Sequence, residues 1–139
     1  MHAVILAGGK GVRLRTYTTA LPKPLVPIGE QHAILEIVMR QLSAAGFTSC
    51  TLAIGHLGHL GHIIRAYVGD GAQWGLCVDY TTEDSPLGFD ELVLDLLAAE
   101  TPPHAYEFDG YWLDIGRPDD YDRANAEFDA RRGMLIKGV

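Results

Sequence analysis

The 139-residue chain is poor in cysteine, in positive charge and in long apolar runs, and each shortage removes a class of protein. Only Cys50 and Cys77 occur, each inside an apolar stretch. Two isolated cysteines make no disulfide framework, and no closely spaced Cys/His set forms a zinc pattern. Both therefore read as small buried hydrophobes in a reducing compartment. Apolar residues reach 47%, yet none of their runs approaches the ~18 residues that a membrane helix needs. The opening MHAVILAGG has neither the charged flank nor the length of a signal peptide, so the expected location is the cytoplasm, with no membrane partner. Eleven Lys and Arg stand against 18 Asp and Glu, a net charge of −7 that excludes a general nucleic-acid binder held by phosphate contacts. What remains is an ordinary globular composition at a length that fits one domain over residues 1–139.

Acid is missing altogether from the first 29 residues, where Lys10, Arg13, Arg15 and Lys23 stand without an Asp or Glu. A basic loop in an acidic chain points to one small anionic ligand. These cations are interleaved with Gly8, Gly9 and Gly11 and followed by Pro22, Pro24 and Pro27. Glycine lets backbone N–H groups approach an anion without a Cβ in the way, and the basic side chains neutralise it, a combination that suits phosphate. A tight surface loop with solvated cations is the other reading. The stretch contains no G-x-x-x-x-G-K-[ST], and Gly9-Lys10-Gly11 runs into Arg13-Leu14 without a third glycine, which excludes the P-loop and the dinucleotide fingerprint.

Strand and helix patterns alternate along the chain. His2 to Ala7, Cys50 to Ile54 and Leu76 to Tyr80 read as buried strands. Leu35, Val38, Met39 and Leu42 predict a helix with a Glu36–Arg40 pair and a stop at Gly46. Leu60, Ile63, Ile64 and Tyr67 predict a second helix, and Phe89, Leu92, Val93 and Leu96 a third. Ala105 to Phe108 and Tyr111 to Ile115 read as two strands joined by Asp109-Gly110. A last helix opens at Pro118 with Asp119 and Asp120, and places Tyr121, Ala124, Asn125 and Phe128 on one face. The pattern implies an α/β fold of three layers: a mostly parallel, Rossmann-like sheet with helices on both faces. Ligands of such sheets sit beyond the carboxyl ends of the strands, where the first loop belongs. His56, His59 and His62 rotate around their helix and read as surface or half-buried polar groups. In the segment Tyr111 to Ile115, strand alternation puts Trp112 and Asp114 on one face. The Asp114 carboxylate is then either a partly desolvated group that needs a cation or an acid capping the turn before Pro118.

The stretch LAGGKGVRLRTYTTALPKPLVPIG resembles the N-terminal signature of the sugar-phosphate nucleotidyltransferases, G-G-x-G-x-R-L…P-K-P-L-x-P-I. The resemblance continues through GHLGHLGHIIRAYVGDGAQWGLCVDYTTEDSPLG and returns at YEFDGYWLDIGRPDDYDRA. It implies that a sugar 1-phosphate oxygen attacks the α-phosphate of a nucleoside triphosphate and releases pyrophosphate, with Mg2+ balancing charge. Carried over by position, Leu6, Ala7, Gly8, Gly9 and Gly11 would line the nucleotide, and Arg13 would hold the triphosphate and stabilise the transition state. Lys23 would be the lysine of P-K-P, with Glu83 and Gly88 contacting the base and Asp114 a metal ligand.

The family continues after P-L-G with T-A-G, a central stretch carrying another magnesium aspartate in a G-D motif, and an E-K-P segment for the sugar phosphate. Here Gly88 runs directly into FDELVLDLLAAE, so the fold is expected to be reduced relative to the family. A sheet short of central strands exposes an edge or an apolar face, which a second copy would close, and a homo-oligomer is the expectation. The sequence supports an enzyme acting on a nucleoside triphosphate and a sugar 1-phosphate, with a non-catalytic nucleotide-binding or assembly module as the alternative.

Overall fold

A computed structural model describes residues 1–9, 11–54, 60–82, 89–99 and 111–136. In chain order the regular elements are β1 (His2–Leu6), α1 (Arg15–Thr18), β2 (Pro27–Ile28), β3 (His32–Ala33), α2 (Ile34–Ala44), β4 (Ser49–Ala53), α3 (Gly61–Val68), β5 (Cys77–Thr81), α4 (Phe89–Ala98) and α5 (Pro118–Leu135). Strands β1, β4 and β5 form a parallel sheet in the order β1-β4-β5, with His2 opposite Ser49 and Ser49 opposite Cys77. Parallel neighbours need crossovers. The chain supplies one through α2 between β1 and β4 and another through α3 between β4 and β5, which is the α/β architecture expected.

The period of two in each strand decides which side chains meet the helices. Cys50, Leu52 and Val78 are buried, and Ala3, Ile5 and Tyr80 pack beside them against Leu35 and Met39 of α2 and Ile64 and Val68 of α3. The opposite sheet face carries His2, Val4, Leu6, Thr51, Asp79 and Thr81, where the His2 ring nitrogens lie 2.8 Å from Ser49 Oγ and 3.0 Å from Thr51 Oγ1. Cys77 corrects the reading of both cysteines as buried. Cys50 is enclosed, but Cys77 sits next to Val78 on a strand that can bury only one of the two, and it is exposed.

A second core lies apart from the sheet. Leu14, Val26, Ile28, Ile37, Tyr121, Ala124, Phe128 and Ile136 form it, so α2 serves both clusters, with Leu35 and Met39 turned to one and Ile37 to the other. Helix α5 starts as the sequence indicates, with Pro118 in its first turn and Asp119 and Asp120 at the positive end of its dipole. Its buried stripe is fastened to the β2–β3 hairpin by polar contacts. Tyr121 OH donates to Pro27 O at 2.6 Å, and Gly29 N–H donates to Asn125 Oδ1 at 2.9 Å.

Between the two cores, Glu36 is 9% exposed and collects three partners. Its carboxylate lies 2.9 Å from Arg40 Nε, 3.1 Å from His32 Nδ1 and 3.1 Å from Tyr67 OH. Burial pushes this carboxyl up, but the bonds from His32, Arg40 and Tyr67 outweigh it and leave its pKa below the ordinary value. The same burial, with the neighbouring Glu36 charge, pushes Tyr67 up to about 12.

The segment Tyr111 to Ile115 is not a strand. Its side chains do alternate, with Tyr111, Leu113 and Ile115 half-buried and Trp112 and Asp114 exposed, but no ladder forms. Leu113 and Ile115 pack against the second core, so burial alone produces the alternation that reads as a strand in the sequence. The companion strand expected at 105–108 lies outside the described residues, as do His56 and His59.

Candidate active site

The cationic loop begins where β1 ends, at the carboxyl end of the parallel sheet, and Ala7 N–H still donates to Ala53 O at 2.8 Å. Gly11 takes a left-handed conformation with φ 60°, and residues 12–14 form a single 3₁₀ turn closed by Leu14 N–H donating to Gly11 O at 2.9 Å. Leu14 is driven into the second core, at 1% exposure. Its neighbour Arg13 is thereby left on the outside.

Lys23 is placed by different means. Pro22 is buried and fixes the entry to a 3₁₀ turn over Lys23–Leu25, and Pro24 sits inside that turn. Leu25 N–H donates to Pro22 O at 2.8 Å, and Val26 N–H donates to Lys23 O at 3.1 Å. Arg13 and Lys23 consequently face one cleft of about 280 Å³, lined also by Gly9, Gly11 and Gly116. An apolar trough adjoins it and shares Gly9 and Lys23, with Leu6, Ala7, Pro24, Ile34 and Val38 on its walls. Gly8 lies in the same loop, half-buried, and lines neither.

Asp114 stands at the edge of the cleft with Oδ1 4.0 Å from Lys23 Nζ. Its side chain is 65% exposed, which corrects the expectation of a partly desolvated carboxylate: without a strand at 111–115, it stays open to solvent. A pair this long and this exposed is worth about 0–1 kcal/mol and leaves both groups available to a ligand. Gly116, which the sequence reading did not single out, closes this side. A Cβ there would lie 3.1 Å from Asp114 Oδ2 and 3.5 Å from Arg13 Cζ, so a side chain at this position would crowd the carboxylate and touch the guanidinium. No group of three or more His, Cys, Asp and Glu suited to a metal occurs among the described residues. Glu83, Gly88 and Lys10 lie outside the described residues.

The sequence model of the family described as Nucleotidyl transferase matches residues 2–93, a span that includes the glycine loop, Arg13 and Lys23. The chain belongs to the nucleotidyl transferase family. Among curated relatives, this nucleotidyltransferase chain is 32% identical over 128 residues to a mannose-1-phosphate guanylyltransferase of Mycobacterium tuberculosis, covering 90% of the chain and 34% of the relative. It is 37% identical over 94 residues to a glucose-1-phosphate thymidylyltransferase of Streptomyces griseus, covering 68% of the chain and 25% of the relative. A crystal structure described as a glucose-1-phosphate thymidylyltransferase of Bacillus anthracis superposes with a TM-score of 0.53 at 26% identity, over 68% of this chain and 38% of that one. The nucleotidyltransferase chain thus spans about a third or less of the length of these two curated relatives. No helix among its described residues is long and apolar enough to cross a membrane.

Proposed function

We propose that the chain joins a nucleoside triphosphate to a sugar 1-phosphate. An oxygen of the sugar 1-phosphate attacks the α-phosphorus, the bond from that phosphorus to the β-phosphate bridge breaks, and pyrophosphate leaves. The observation that carries this reading is the convergence of Arg13 and Lys23 on one cleft with Gly9 and Gly11, at the carboxyl end of a parallel sheet. Two cations and glycine backbone match the charge and the close approach of a triphosphate, and phosphoryl transfer asks a protein mainly for positioning and charge stabilisation. In this reading Arg13 holds the phosphates and meets the charge that develops as pyrophosphate departs. Lys23, which lines the same cleft, orients the chain of phosphates. The adjoining trough of Leu6, Ala7, Pro24, Ile34 and Val38 takes the base and ribose, with Gly8, Glu83 and Gly88 assigned to the nucleotide by resemblance.

The fit of magnesium rests on Asp114. Magnesium is commonly held by one or two carboxylates together with substrate phosphates, not by an all-protein cage. A single exposed carboxylate at the rim of a phosphate-sized cleft fits that donor set, with the triphosphate supplying the remaining oxygens. Bound there, the ion would neutralise charge on the phosphate oxygens. The same reading takes the chain to be cytoplasmic and a homo-oligomer, the latter on the ground that a sheet short of central strands leaves an edge for a second copy to close. A single monomeric species by light scattering at working concentration contradicts the oligomer.

A binding or assembly module that holds nucleotide without turnover is the second reading, favoured by the lone carboxylate at the cleft among the described residues. Magnesium-dependent pyrophosphate release separates the two, with each nucleoside triphosphate paired in turn with glucose 1-phosphate and mannose 1-phosphate. Release with one pair supports the transferase and names its substrates. Silence with every pair, alongside measurable nucleotide binding, supports the module.

A further inference from the structure

The turn that carries Arg13 rests on a buried hydroxyl that the reading above does not use. Thr18 closes α1 and is 8% exposed. Its Oγ1 lies 2.9 Å from Gly11 O and 3.0 Å from Leu14 O, so one hydroxyl proton is shared between the two carbonyls that bracket the turn. Its methyl group fills the other side. A Cβ on Gly11 would come within 3.0 Å of Thr18 Cγ2, so threonine and glycine are in contact across the loop.

A three-residue 3₁₀ turn has one backbone hydrogen bond of its own, here Leu14 N–H to Gly11 O, and such turns are geometrically soft. Arg13 makes no ion pair among the described residues, so the aim of its guanidinium follows from the backbone beneath it. Two devices stiffen that backbone: Leu14 locked in the second core and the Thr18 hydroxyl tying the two ends of the turn together. Leu14 fixes one end only. The Gly11 end, where left-handed glycine has the widest freedom, is held by Thr18.

We propose that Thr18 is a positioning residue, whose hydroxyl holds the Gly11–Leu14 turn in the form that presents Arg13 to the phosphate cleft without itself touching a ligand. The inference rests on reading the cleft as a polyphosphate site, and it deepens that reading by assigning the residue that aims its arginine. Without the hydroxyl Gly11 O keeps only the Leu14 N–H, Leu14 O loses its side-chain donor, and the tie between the two ends of the turn is gone, so the turn samples forms in which Arg13 points elsewhere.

The test uses the full chain and inorganic tripolyphosphate with magnesium as the probe, titrated calorimetrically into wild type, Thr18→Val, Thr18→Ser, Arg13→Ala and the double variant Arg13→Ala/Thr18→Val. Amide hydrogen exchange at Leu14 is read in parallel. Loss of one buried hydrogen bond acting through the turn is expected to weaken binding about 5- to 10-fold in Thr18→Val. Thr18→Ser keeps the hydroxyl and stays close to wild type. In the Arg13→Ala background Thr18→Val has no further effect, and Leu14 exchange accelerates in Thr18→Val alone of the two threonine variants. Unchanged binding in Thr18→Val, an equal loss in Thr18→Ser, or an undiminished penalty in the Arg13→Ala background overturns the proposal. If wild type does not bind tripolyphosphate, the polyphosphate reading fails by itself. Leu14 exchange then decides the role of Thr18: acceleration in Thr18→Val upholds its hold on the turn, and no change overturns it. Should Thr18→Val not fold, Thr18→Ala replaces it with the same expectations.

Discussion

The molecule has two cores that do different work. The first is regular: three parallel strands pack on α2 and α3, and side chains one or two periods apart, such as Cys50 with Leu52 or Ile64 with Val68, fill it. The second gathers residues from a 3₁₀ turn, a hairpin of two-residue strands and one face each of α2 and α5. The cleft belongs mostly to the turns that this second core pins. Leu14 and Val26 are buried in the second core, and each lies a few residues from a cation of the cleft, Arg13 in one case and Lys23 in the other. A sheet supplies a rigid rim, but strand geometry cannot point two cations at one anion. Turns can, provided that a separate apolar cluster pins them.

The largest effect should come from opening the second core. Phe128 is 2% exposed, and Phe128→Ala is expected to cost about 3–5 kcal/mol in urea unfolding. Nucleotide affinity should fall with it, because Leu14 and Val26 are anchored in the same cluster as Phe128. Leu52→Ala, in the sheet core, should cost about 2–5 kcal/mol but leave the affinity of the folded protein unchanged. Equal losses of affinity in both would erase the distinction between the cores.

Next in size is Glu36, which touches α2, α3 and β3 partners at the seam of the two cores. Glu36→Ala is expected to cost about 2–3 kcal/mol, since three hydrogen bonds to a charged group are lost. Because the folded pKa is lowered, this contribution is fully present above the ordinary value of 4.5 and is lost as pH falls through the folded pKa. Thermal melts across that range should show an acid limb that Glu36→Gln flattens. Tyr67 acts at the other extreme. Its pKa is raised to about 12, so stability declines as pH climbs from 10 towards that value, and Tyr67→Phe should remove that part of the alkaline limb.

Smaller again, Asn125→Ala removes the acceptor for Gly29 N–H and should cost about 1 kcal/mol. Gly116→Ala should be the mildest in stability. Its effect belongs in nucleotide affinity, since the new methyl group crowds Asp114 Oδ2 and must displace it.

The regular elements of the molecule are largely legible in the sequence. The spacing of Leu35, Met39 and Leu42, the stop at Gly46 and the stripe Tyr121, Ala124 and Phe128 all report elements whose periodicity is their packing. Strand limits are displaced by a residue at β4 and β5 because the ladder, not the apolar run, ends a strand. The misreading of Tyr111 to Ile115 has the same root: alternating burial needs a core beneath the segment and does not require a partner strand beside it. At the cleft, Arg13 and Lys23 are visible as charge on glycine and proline backbone. Thr18 and Gly116 are not, because a threonine in the run Thr16, Thr18, Thr19 and a glycine before Arg117-Pro118 carry no pattern that distinguishes a packed contact from a turn. Only the fold brings them to Gly11 and Asp114.

The central claim is that Arg13 meets the nucleotide's phosphates. Its most direct test is the rate of magnesium-dependent pyrophosphate release in wild type and Arg13→Ala, with the substrate pair that the wild type accepts. The account predicts a loss of about 10²–10³-fold, the usual cost of removing one donor to developing charge, with an unchanged melting temperature because Arg13 is exposed. An Arg13→Ala rate equal to wild type would contradict it.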